Sequence, residues 1–290
     1  MTIAKYASQE DEIQKMGDSI FKNIFMKKPI SFSDSFPCFG NEGDGDSYND
    51  EDIGLWRNGL FGQHLDSNRF LDNRASAHML SEMSRENYIV ELACGPGLGF
   101  IPSLQKMNPS VPCLATDANP DVLREWNRYL EINNLCRKIS FAQFSVFDIP
   151  FKNNSVQAYS SFLGLSSTKA GNKGYNKAIS EVYRTLAPKG RLYTVEAEWT
   201  DISAVMDLFR KTGRPPWDIF VEAEKEGFTS WQDRFLNAGF NILYRELFEY
   251  RSLVADDNEL GKAGEMFGVE VGMRYVAYIL EKKSAGEQSY

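Results

Sequence analysis

The chain has 290 residues, 42% of them hydrophobic, enough to bury a sizeable core in one domain with an appendage. Its net charge is −8 and no basic cluster interrupts it, which argues against nucleic acid as a partner. Met1 to Lys15 mixes charges around no apolar core, and no apolar run approaches bilayer-spanning length, so a soluble cytoplasmic protein with no membrane partner is expected.

In chain order, Gln9 to Met26 spaces Ile13, Met16, Ile20, Phe21, Ile24 and Phe25 along one face, which predicts an amphipathic helix. Ser31 to Ile53 is rich in Ser, Gly, Asp and Asn and reads as a solvated loop. Its acidic run from Asp44 lacks the glycine and glutamate that a calcium loop needs at its sixth and twelfth places. Leu55 to Met83 looks helical. The four cysteines, Cys38, Cys94, Cys113 and Cys136, form neither a disulfide framework nor a C-x-x-C pair. The histidines, His64 and His78, lack metal-ligand spacing, so no metal is expected.

Tyr88 to Leu92 is a short apolar run holding one acid, Glu91, as a buried parallel strand reads. Gly95, Gly97 and Gly99 follow at alternate positions, where bare backbone lets a ligand approach closely. Ile101 to Met107 then reads as a helix with Pro102 in its first turn. The spacing is G-x-G-x-G, not the G-x-G-x-x-G of a dinucleotide fingerprint. Glu91 would repel a phosphate, so the loop favours a ligand with a positive end and no phosphate.

A second strand, Val111 to Asp117, ends in an acid about 20 residues beyond the loop, where an acid can hold ribose hydroxyls. A helix over Asp121 to Asn133 follows, then a strand from Ile139 that closes on Asp148. Glu91, Asp117 and Asp148 thus terminate three successive strands and should converge on one crevice.

Farther on, Ser155 to Phe162 reads as a strand, Asn172 to Leu186 as a helix and Arg191 to Ala197 as a strand. Residues 198–227 look like an insertion carrying Trp199, Phe209, Trp217 and Phe220. Ser230 to Ala238 is a last helix, and Asn241 to Leu253 and Val271 to Glu281 alternate as two strands. The segment between those strands is long for a hairpin and stands as a pocket edge.

The stretches Glu91 to Gly99, Thr116-Asp117, Asp148 to Phe151, Tyr159 to Leu163 and Val182 to Leu192 resemble, in order and spacing, the class I S-adenosylmethionine-dependent methyltransferases. Within that family the similarity is greatest to the ubiquinone-biosynthesis-type group that methylates small molecules. The resemblance covers about residues 87 to 195. It implies an α/β, Rossmann-like, seven-stranded and mostly parallel sheet with helices on both faces. Residues 1–84 would form an N-terminal helical cap with its acidic loop, and 85–290 the cofactor-binding domain.

The resemblance further implies that Glu91 and the glycine loop, with Cys94, Gly95 and Gly97, cradle the methionine end of S-adenosyl-L-methionine. Asp117 would hold the ribose, with Ala118 beside it. Asp148 would meet the adenine amino group, with Phe147 or Ile149 against the ring, and the backbone near Ser161 and Phe162 would meet the methionine ammonium. N-terminal helices often overlie the cleft in this family, so Trp56, Arg57 and Arg74 are substrate-pocket candidates, joined by Trp199. His64 is the better catalytic-base candidate of the two histidines. Family members often carry a histidine pair shortly after the fourth strand. Leu165-Ser166 stands there, so no base is inherited.

Methyl transfer asks mainly for alignment and exclusion of water, and needs a base only when the acceptor holds its proton. The leading expectation is therefore a methyltransferase acting on a small-molecule acceptor. A cofactor-binding module without transfer stays open, as does the choice between monomer and homodimer. The loop spacing disfavours a nicotinamide-dependent dehydrogenase.

Overall fold

The structure, a computed structural model, describes residues 19–33, 36–40, 71–95, 99–132, 138–168, 171–213, 215–252, 265, 268 and 270–284. Its strands are β1 (Ser31–Ser33), β2 (Phe36–Cys38), β3 (Ile89–Glu91), β4 (Cys113–Asp117), β5 (Ile139–Gln143), β6 (Val156–Phe162), β7 (Leu186–Ala197), β8 (Phe240–Ser252) and β9 (Val271–Lys282). They form one sheet in the order β1-β2-β5-β4-β3-β6-β7-β9-β8. Pairs from β2 through β7 are parallel, and β1, β8 and β9 join antiparallel.

Helices supply the crossovers that parallel neighbours need. After the short α1 (Ser19–Lys22) and α2 (Arg74–Met83) come α3 (Phe100–Met107) between β3 and β4, and α4 (Pro120–Ile132) between β4 and β5. The crossover from β6 to β7 is α5 (Gly171–Thr185). Beyond β7 lie α6 (Trp199–Lys211), α7 (Asp218–Glu226) and α8 (Trp231–Asn237).

Side chains alternate across the sheet, as strand geometry requires. Ile89, Cys113 and Ala115 enter one apolar cluster with Met79, Leu104 and Trp126, whereas Val90 and Leu114 enter the other with Tyr175 and Phe235. The sheet is therefore covered on both faces, which is why β3 and β4 are buried at every residue.

Several sequence boundaries shift. The expected seven strands sit inside a nine-stranded sheet, because residues 31–38 of the supposed acidic loop pair as β1 and β2 on the β5 edge. β5 stops at Gln143 and does not run to Asp148. β7 starts at Leu186: Val156 pairs with Leu186 and Ala158 with Arg191, so Pro188 to Gly190 ride in an irregularity where Lys189 takes φ +64°. The insertion contains two helices, α6 and α7. Of the helical cap, α1 and α2 are described, and the remainder lies outside the described residues.

A candidate cofactor site at the strand tips

β3, β4 and β5 are neighbours running the same way, so their carboxyl ends share one edge of the sheet. The loop leaving β3 stays tied to both flanking tips. Leu92 N donates to Ser160 O at 2.9 Å and Cys94 N to Thr116 O at 2.9 Å. Thr116 Oγ1 donates back to Glu91 O at 2.8 Å. Ala93 (φ +46°) and Gly95 (φ +52°) turn the chain in the left-handed region.

Asp117 closes β4 and is buried. Its Oδ2 accepts from Gly95 N at 3.0 Å and its Oδ1 from Asn119 N at 2.9 Å. Ala118, half-buried beside it, gives its carbonyl to Gln143 Nε2 at 2.8 Å. Two tips expected to share a crevice thus touch directly.

Glu91 behaves differently from its expected role. It is fully buried, and its oxygens accept from Phe100 N at 2.6 Å and Ile101 N at 3.1 Å. The residue capping α3 is Gly99, which has no side chain to satisfy those first-turn amides. Glu91 supplies the missing acceptor and its charge suits the helix N-terminus. Burial pushes its carboxyl up to about 7, while the two amide bonds pull the other way. Glu91 therefore ties the end of β3 to the first turn of α3.

Asp148 lies in a turn closed by Asp148 N donating to Ser145 O (3.0 Å) and Phe147 N to Ser145 Oγ (3.2 Å). Its side chain is exposed and pairs with Lys27. Phe147 is half-buried beside it, whereas Ile149 is fully buried in the core. Ile149 N also donates to Glu181 Oε2 at 3.1 Å.

Cys94 is buried, and its thiol is held well above the usual range by burial and by the Asp117 and Glu91 carboxylates. That marks a packing residue, not a nucleophile. Ser161, at the tip of β6, is buried, and its Oγ has no hydrogen-bond partner among the described residues. Phe162 is half-buried and meets Phe100 edge-on at 5.8 Å.

The expected substrate contacts fare less evenly. Gly97, Trp56, Arg57 and His64 lie outside the described residues. Arg74 opens α2, is largely exposed, and pairs with Glu246 at 3.0 Å on β8. Trp199 is half-buried and stacks on Phe228 at 4.5 Å, packing against both apolar clusters.

Three features carried no sequence signal. Gln143 takes Phe39 N (3.1 Å) and Gly40 N (3.0 Å) on its Oε1, fixing the N-terminal segment to the β5 tip. Glu196 on β7 is fully buried, accepting from Ser166 N at 3.0 Å and Thr194 Oγ1 at 2.6 Å. Burial pushes it up to about 7, and it anchors the turn after β6, where Leu163 takes φ +58°. Gly164 lets that turn approach the β3 loop: a Cβ there would lie 2.7 Å from Ser161 Oγ and 2.8 Å from Leu92 O. Among the described residues no cluster of His, Cys, Asp and Glu is placed to hold a metal ion.

A methyltransferase-domain family model matches residues 89–190, the span from β3 through α5 into the start of β7. The ubiquinone/menaquinone biosynthesis C-methyltransferase UbiE of Rickettsia bellii is 25% identical over 125 residues, 42% of this chain and 49% of the relative. The Rickettsia felis protein of the same name is 24% identical over 127 residues, 43% and 50% of the two chains. The chain thus spans about half the length of the curated relatives it matches.

Among solved structures, a SAM-dependent methyltransferase of Methanosarcina mazei superposes with TM-score 0.51 at 17% identity, covering 71% of this chain and 98% of that one. A protein solved in work on converting a disulfide bond into a thioacetal group during echinomycin biosynthesis gives TM-score 0.53 at 8% identity, covering 74% and 83%. At those identities the likeness speaks for the fold. Residues 89–190 thus match an S-adenosylmethionine-dependent methyltransferase domain, set in an α/β sheet of the class I, Rossmann-like type.

Proposed function

We propose that the crevice over the tips of β3, β4 and β5 holds S-adenosylmethionine, and that the chain transfers its methyl group to a small-molecule acceptor by in-line displacement. The observation that carries this reading is the contact of Gly95 N with Asp117 Oδ2 at 3.0 Å, which joins bare main chain and a carboxylate in one site. The donor set fits the cofactor. Carboxylates at Asp117 and Asp148 match hydroxyls and an amino group, and among the described residues of the β3 loop and the β4 tip no lysine or arginine stands ready for phosphate.

Asp117, at the tip of β4, takes the ribose hydroxyls. Phe147 flanks the adenine and Asp148 accepts from its amino group. The backbone of Ser161 and Phe162, with Cys94 and Gly95 of the β3 loop, lines the methionine end; Gly97, expected beside them, lies outside the described residues. Glu91 acts only through the loop that it braces. When bound, the cofactor supplies an already electrophilic methyl, so the protein contributes orientation and a dry site. The small-molecule acceptor is supported by the names of the curated relatives.

Calorimetry with S-adenosylhomocysteine tests the site. Asp117→Ala is expected to weaken binding at least ten- to a hundredfold, the scale of lost hydrogen bonds to a charged group, roughly 1.5–3 kcal/mol. Unchanged affinity refutes the assignment. A cofactor-binding module without transfer is the second reading, favoured by the burial of Leu165 and Ser166, which present no base after β6. Methyl label appearing on any metabolite in a screen with labelled cofactor eliminates it.

A further inference from the structure

The N-terminal segment reaches the adenine end of the proposed site by main-chain pairing. Met26 N donates to Pro150 O at 2.8 Å, Lys27 N to the same oxygen at 3.3 Å, and Lys152 N to Ile24 O at 2.8 Å. Phe25 and Phe151 bridge antiparallel between these bonds, with their rings edge-on at 4.9 Å. The backbone of Lys27 is thereby fixed two residues from Asp148 in the paired strand. Its ammonium rests on both oxygens of the Asp148 carboxylate.

The side chains of Lys27 and Asp148 are 38% and 66% exposed, so this pair adds little to core stability. Its consequence lies in what else Asp148 can accept. An ammonium on both oxygens occupies lone pairs and cancels the negative potential that would draw a neutral amino donor.

We propose that Lys27 is a competing latch on the adenine end of the site: it holds Asp148 until the cofactor binds and then yields it, which lowers cofactor affinity. This rests on the assignment of Asp148 to the adenine amino group. An exposed ion pair is weak, so the latch tunes affinity by about two- to fivefold and does not block binding. Salt loosens it, because both partners face water.

The test is calorimetric titration of S-adenosylhomocysteine into the full chain. At low salt, Lys27→Ala and Lys27→Met are expected to bind about two- to fivefold more tightly than wild type. At about 1 M salt the gap should close. In an Asp148→Asn background, Lys27→Ala should change nothing, since the coupling partner is gone. Equal or weaker binding by both Lys27 variants overturns the latch, as does an undiminished gain in the Asp148→Asn background. A wild-type chain that fails to bind at all overturns the cofactor reading and the latch together, whereas intact wild-type binding with neutral Lys27 variants overturns the latch alone.

Discussion

Gly99 is a glycine for a reason that its own backbone does not announce. Its φ of −84° suits any residue, yet a Cβ there would sit 2.1 Å from Glu91 Oε1. Gly99→Ala must displace the carboxylate from the first turn of α3 and is expected to cost about 1–3 kcal/mol by overpacking. Urea denaturation reads this directly, and an unchanged midpoint would contradict it. The same contact shows where residue-level reading of the sequence succeeds and where it stops. The acid before a glycine loop is visible as a motif, and Asp117 lies where the motif places it. Which way Glu91 points depends on α3 having no capping side chain, a relation that exists only once the helix is docked. Lys27 illustrates the opposite case. It belongs to no motif, and only the pairing of its backbone with Pro150 brings it to Asp148.

At the scale of elements, the apolar runs and breakers located β3, β4, β6, α4, α8, β8 and β9 to within a few residues, because each keeps one side-chain pattern along its length. The patterns range from the fully buried β3 and β4 to β8, whose side chains mostly alternate between half-buried and exposed. The misplaced boundaries share a cause. β1 and β2 are three residues each, drawn from a stretch whose composition is that of a loop, and tertiary pairing with Gln143 makes them strands. The start of β7 contains Pro188 and Gly190, ordinary helix-stop residues that here sit inside a strand irregularity. Aromatic stacking holds the added hairpin: Phe25 lies flat on Phe39 at 4.9 Å and meets Phe151 edge-on. Phe25→Ala is expected to speed hydrogen exchange at Ile30 and Phe39, whose amides bond Cys38 O and Gln143 O, while β4 amides stay protected. Equal acceleration in both places would mean that the hairpin unfolds only with the whole domain.

For the whole molecule, the fully buried carboxyls of Glu91 and Glu196 each contribute to how stability responds to pH. Both are pushed up to about 7 by burial, above the ordinary value of 4.5. A raised folded value favours the protonated form, so each contribution is complete below about pH 4.5, declines as pH climbs to about 7, and is level beyond. Glu196→Gln keeps the shape and removes one titration, and the Thr194 hydroxyl can turn to accept from the new amide. Between pH 5 and pH 8 the wild type should lose about 1–3 kcal/mol of unfolding free energy relative to this variant. A pH-independent difference would show that the amide bonds, not burial, dominate.

The order of the nine strands also bears on how the chain is made. Cys38 of β2 pairs with Gln143 of β5, a partner 105 positions farther along (143 − 38). At ordinary ribosomal rates of about 5–20 residues per second, that partner is synthesised about 5–20 s later. β2 therefore leaves the ribosome well before its docking edge, with Phe36 and Cys38 uncovered in the interval.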